Sequence, residues 1–132
     1  MIDKIFNNVG VLQKGLDASW LKNEVITNNI ANVDTPGFKS SSVSFESAFK
    51  SALNGQSFAA KKTREKHIDF KSQSMEATVT TNAGTSNGLD GNNVDIDYEN
   101  AELAKNTIYY NTLIEQMTSE FRKLSSAINN VE

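Results

Sequence analysis

His67 is the chain's only histidine, and Asp69 stands two residues further on, in "EKHIDF", with serines abundant elsewhere. A Ser-His-Asp triad would use these residue types. It would also need a serine on a strained, exposed turn, and no serine here has such surroundings. A solvated His67 is the simpler expectation. Residues 90–100, "DGNNVDIDYEN", space their acids somewhat like a calcium loop. They lack the glycine at the sixth position and a correctly placed terminal glutamate. Asp95, Asp97 and Glu99 are better used to cap a helix and complement its dipole. The basic run "KKTREK", residues 61–66, is interrupted by Glu65 and has no interleaved aromatics. That pattern suits a solvated face, or contact with an acidic neighbour or lipid head groups, better than nucleic acid. No catalytic, cofactor-binding or metal-ligating residue is assigned, and neither an enzyme nor a small-molecule substrate is expected.

Amides are the more distinctive chemistry. "NNIANVDTPGFKS", residues 28–40, holds Asn28, Asn29, Asn32 and the only proline, Pro36. Asparagine is a poor helix former, and proline cannot continue a helix. Thr35-Pro36-Gly37-Phe38 suits a type II turn, with Pro36 presetting φ and Gly37 supplying φ > 0. A helix leading into it should stop near Asn32 or Val33, before Asp34. Each amide can tie off free carbonyls and N–H groups of a helix end, or of a neighbouring chain; solvated local caps are the plainer alternative.

Two long helices must carry these residues. Ile2, Ile5, Val9, Leu12, Leu16, Ser19, Asn23, Ile26, Ile30 and Val33 alternate by three and four, a heptad seam over residues 1–33. Residues 95–132 repeat the pattern with Ile96, Asn100, Leu103, Thr107, Tyr110, Ile114, Met117, Phe121, Leu124, Ile128 and Val131. The expected fold is mainly α: the N- and C-terminal helices pair as an antiparallel coiled coil along these seams. An ordinary helical bundle is the alternative. The polar breaks at Ser19, Asn23, Asn100 and Thr107 should weaken the isolated pair. Residues 34–94 hold the turn and a serine-rich, partly β or irregular middle arm. "SVSFESAFKSAL" (42–53) suggests a short helix, "SMEATVTTN" (74–82) a strand, and "AGTSNGLDGNN" (83–93) a loop.

The helical repeat leaves further residues off the seams. Leu21, Val25, Asn28 and Asn32 fall on the back of the first helix and Trp20 on its flank. Ile108 falls behind the second seam, with Tyr109 and Leu113 to one side. Uncovered apolar surface marks contact with other chains, unless the middle arm folds back over it. Non-closing contacts of that kind build a helical filament. The remaining bounds agree with such a role. The chain has 132 residues, a net charge of −3 and no cysteine, so it suits one modest domain without a nucleic-acid protein's basic excess. "MIDKIFNNVGVLQKG" contains no continuous apolar run, so neither a cleavable signal peptide nor a membrane span is expected there.

"NNIANVDTPGFK" (28–39) resembles the N-terminal signature of the bacterial flagellar axial proteins, the rod and hook family. Residues 90–117 resemble the C-terminal signature of that family's proximal rod members, and residues 16–46 and the short length agree. Residues 50–85 are covered poorly. The resemblance implies a structural subunit of the basal-body rod that stacks helically with copies of itself and other rod proteins, transmits torque and meets membrane-ring and export-gate proteins at the rod base. It implies a position in the periplasmic space, reached through the flagellar type III apparatus without a cleaved signal. A soluble coiled-coil adaptor or chaperone-like binding protein is the alternative.

Overall fold

A computed structural model describes residues 2–46, 49–50, 77–84 and 90–129, with side chains from Phe6 onward. The first helix, α1, spans Ile2–Ala31. Its last turn tightens: Asn32 N–H donates to Asn29 O at 3.1 Å and Val33 N–H to Ile30 O at 3.3 Å, as helix ends do where i−4 partners run out. The turn that stops it has Phe38 N–H on Thr35 O at 3.2 Å and Gly37 at φ +72, a type II geometry that a side chain at residue 37 would strain. Strand β1 (Ser41–Ser44) pairs antiparallel with β2 (Thr78–Thr81), Ser41 opposite Thr81 and Ser44 opposite Thr78. Ser42, Val43 and Ser44 are therefore extended where a helix is expected over 42–53, and helical geometry begins only at Glu46. The second long helix, α2, covers Ile96–Asn129. Asp95 caps it, its Oδ1 accepting the N–H groups of Asp97 and Tyr98 at 3.0 and 3.1 Å.

The helices run antiparallel. Ser19 meets Asn106, Lys22 meets Glu102 and Asn29 meets Glu99, so positions climb one helix as they descend the other. Between them and the β-hairpin lies a small core of Leu12, Ala18, Phe45, Phe49 and Leu113, with Val11, Leu16, Val43, Ala77, Tyr109 and Met117 packed against it. The Phe49 ring lies 5.2 Å from Phe45 and edge-on to Tyr109 at 6.0 Å. Gly15 makes room for it, since a Cβ there would stand 2.6 Å from a Phe49 ring carbon. The described part of the middle arm thus does fold back on the pair, through Val43, Phe45, Phe49 and Ala77.

That packing corrects the expected seams by one residue on alternate rungs. Leu12 and Ile26 are buried and Val9, Leu16 and Ile30 half-buried, but the other buried positions of α1 are Gly15, Ala18, Ser19 and Asn29. On α2 the buried line is Glu99, Asn106, Leu113 and Glu120, seven apart. Leu103, Tyr110, Met117 and Leu124 are half-buried beside it, whereas Ile114, Phe121 and Ile128 are exposed. Leu113, expected on an assembly face, is 5 % exposed in the chain's own core. The cause is that Phe49 and the polar partners on α1 select the neighbouring face of α2. Ser19 is not a break in the seam but one of its bonds. Ile2 and Ile5 fall among side chains outside the described set, and Val131, His67, Asp69 and the 61–66 run lie outside the described residues. No helix among the described residues is long and apolar enough to cross a membrane.

Candidate functional site

Three asparagines hold the α1 end, the turn, the hairpin and the start of α2 together. Asn29 is the most enclosed, at 1 % exposure. Its Oδ1 accepts Ser41 N–H at 3.0 Å, while its Nδ2 donates to Ser41 O at 2.8 Å and to Glu99 Oε1 at 2.9 Å. The amide thus imitates a neighbouring strand along the outer edge of β1 and leaves none of its own hydrogens idle. Asn92 caps α1 from far along the chain. Its Nδ2 lies 2.9 Å from each of the carbonyls of Asn32, Val33 and Thr35; those of Asn32 and Thr35 also accept N–H groups within the turn, so the amide adds a donor to the carbonyl groups gathered at the helix end. Its Oδ1 takes Val94 N–H at 2.7 Å. Asn93 accepts Ser40 N–H at 2.7 Å and donates to Asn82 O at 2.6 Å. Gly37 N–H on Asp90 O at 3.0 Å and Lys39 Nζ on Gly91 O at 2.8 Å complete the junction.

Asn28 and Asn32 behave differently from Asn29. Asn28 is exposed, and Asn32 makes the local bond Nδ2 to Asn28 O at 2.8 Å while its Oδ1 receives the Thr35 hydroxyl at 3.3 Å. Asp34, Thr35, Pro36 and Gly37 are exposed and Phe38 is half-buried. Asn92, Asn93 and Asn106 are not distinguished in the sequence, where they read as loop or solvated helix, and Glu99 reads only as an acid at the start of a helix. Their one signal is the seven-residue spacing of Glu99, Asn106, Leu113 and Glu120.

Charge is arranged around the same end. Lys22 Nζ reaches Glu102 at 2.8 Å and Glu46 at 3.2 Å, and Lys105 reaches Glu102 at 3.2 Å. Burial works to lower the Lys22 pKa, but hydrogen bonds to Glu102 and Glu46 outweigh it, and the net shift is upward. The bond from Lys22 holds the Glu102 carboxyl below its ordinary value against partial burial. Glu99 shifts upward, chiefly because burial disfavours its charge. Its bond from Asn29 opposes that shift, and the charges of Glu102 and Asp95 add to it.

Outside the joint, apolar side chains stand uncovered. Trp20 is 67 % and Ile108 69 % exposed, with Phe6, Ile96, Ile114, Phe121 and Ile128 also in solvent. Leu21 and Val25 are half-buried, and Tyr109 is half-buried against Phe49.

A helix pair closed by an amide joint, with apolar surface uncovered, defines a structural helical module. A family profile described as "Flagella basal body rod protein" matches residues 11–39, the stretch that holds the buried line of α1, Asn29 and the turn. The chain is 38 % identical over 117 residues to the flagellar basal body rod protein FlgB of Bacillus subtilis, covering 89 % of each chain. It is 36 % identical over 126 residues to the Aeromonas hydrophila FlgB, covering 96 % of this chain and 93 % of the relative. With the FlgB of Borreliella burgdorferi it shares 35 % identity over 118 residues, 83 % of this chain and 87 % of that one. The chain belongs to the FlgB family of flagellar basal body rod proteins, structural subunits of the basal body rod.

Proposed function

We propose that the chain builds the proximal part of that rod by stacking helically with copies of itself and with other rod proteins. In this reading it transmits torque across the periplasmic space, contacts membrane-ring and export-gate proteins at its base, and arrives through the flagellar type III apparatus without a cleaved signal. The exposed apolar residues on both helices, above all Trp20 and Ile108, carry the reading. Burying such side chains is favourable by about 25 cal/mol per Å², and exposed apolar surface beyond scattered single residues usually meets another protein. In this reading Leu21, Val25, Asn28, Asn32 and Tyr109 belong to the same assembly interface. Rigidity suits torque transfer, and the Asn29 and Asn92 bonds join two helices and a hairpin into one body.

The test is Ile108→Asp, with Trp20→Asp as its companion, in flagellated cells. Both positions are solvent-exposed, so expression, export and helical circular dichroism should match the parent. Rod assembly and swimming should be lost. Normal swimming by both variants would overturn the assignment of these residues to contacts between subunits.

A further inference from the structure

We infer that the buried Ser19–Asn106 pair sets the rotation of α2 about its own axis and so keeps the apolar line Ile114–Phe121–Ile128 facing outward. The assembly role of that line rests on the rod-subunit reading above; the orientation itself does not. Two lines of α2, one residue apart on the helix, compete for the inside. The line that is buried contains Glu99, Asn106, Leu113 and Glu120. The line that is not contains Thr107, Ile114, Phe121 and Ile128. Apolar content favours the second, and Leu103, Tyr110, Met117 and Leu124 border both.

What reverses that preference must lie across the pair. Leu113 cannot, because an isoleucine follows it and would fill similar space. Glu120 cannot either: its bond from Lys123 Nζ, at 2.8 Å, runs along α2 itself. Asn106 can. Ser19 Oγ donates to Asn106 Oδ1 at 2.9 Å, and Asn106 Nδ2 donates to Ser19 O at 2.9 Å, with Ser19 and Asn106 only 3 % and 5 % exposed. Turning α2 by one residue would put Thr107 there and take the Asn106 amide away from the buried Ser19, losing both bonds between them and leaving the Ser19 hydroxyl without that acceptor, which the interior penalises. Asn29 on Glu99 adds a second point further along. A rigid helix carries the orientation to Glu120 and beyond. Buried polar pairs are known to select one arrangement at the expense of stability.

The chain has no cysteine, so single cysteines report orientation cleanly. In the purified full-length chain, Phe121→Cys should react with a thiol reagent at least about tenfold faster than Glu120→Cys, as expected where only one of the two needs local opening. In a Ser19→Ala/Asn106→Leu background, the ratio should fall towards one or invert. The swapped pair Ser19→Asn/Asn106→Ser, which can rebuild the bond in reverse, should restore it and shows that the fold survives changes at both sites. Equal labelling at 120 and 121 in the parent, or an unchanged ratio in the apolar double variant, overturns the inference. Swimming should fail in the apolar double variant and return in the swap. A shifted ratio with intact swimming would leave the lock standing and count against the outward line as an assembly surface.

Discussion

Asn29→Ala removes the amide that joins three elements. Two of its bonds go to the Ser41 backbone and one to the buried Glu99 carboxylate. A neutral hydrogen bond contributes a net of about 1 kcal/mol and one to a charged group about 1.5–3 kcal/mol, with further cost when buried partners stay unmatched. The loss is therefore about 3–5 kcal/mol. Alanine's better helix propensity returns at most about 0.7 kcal/mol. A domain of this size has roughly 5–15 kcal/mol in total, so the variant sits near the folding threshold. Urea unfolding of the full-length chain, followed by circular dichroism at fixed pH, reads the difference through its midpoint. With a slope of about 1–3 kcal/mol per molar urea, the midpoint should fall by about 1–5 M. Asn28→Ala, one residue earlier and exposed, should change stability by no more than about 0.5 kcal/mol. Asn29→Asp should be worse than alanine at neutral pH, because it sets a second carboxylate oxygen against Glu99 and the Ser41 carbonyl. Equal midpoints for the variants at 28 and 29, or a loss below about 1 kcal/mol at 29, would refute the clamp.

Gly15→Ala should destabilise by roughly 1–2 kcal/mol, because overpacking against Phe49 exceeds the helix gain of about 1 kcal/mol. Gly10→Ala, where a Cβ meets nothing within 4 Å, should stabilise by up to about 1 kcal/mol; thermal melting checks both. Asn92→Ala should cost about 1–2 kcal/mol by removing two amide hydrogens shared among three carbonyls and the acceptor of Val94 N–H. Asn92→Asp should cost more, since it places negative charge at the negative end of α1, and urea titration ranks the two. Glu99 has its pKa raised in the fold, so the folded state holds its proton more tightly, and this group's penalty appears as pH rises from the unfolded carboxyl range through the folded value. Glu99→Gln, which keeps an acceptor for Asn29, should therefore match or exceed the parent in stability at pH 7, with that advantage vanishing below the ordinary carboxyl pKa. Glu102, whose pKa is lowered, contributes the opposite way: its stabilisation is present at neutral pH and disappears as pH falls through its folded value.

Much of the architecture is written locally. The three-four alternation specifies both helices, because an amphipathic stripe must be buried somewhere. Pro36 and Gly37 specify the turn through their own φ preferences, and Asp95 specifies the start of α2 by reaching N–H groups two and three residues ahead. Each of these signals acts over a few residues, so one chain read alone contains it.

Tertiary structure decided which face of each helix turns inward. Two apolar lines lie side by side on α2, and periodicity cannot rank Leu113 against Ile114 or foresee Glu120 buried beside an exposed Phe121. The ranking depends on Ser19 lying opposite Asn106, 87 positions away, and on Phe49 fitting over Gly15. The same holds for the amides. Composition makes Asn29 notable and Asn92 merely one more loop amide, but only folded geometry brings the first to Ser41 and Glu99 and the second to three carbonyls just past the end of α1. An amide forms the same kinds of bond everywhere; burial and long-range position determine which of them matter.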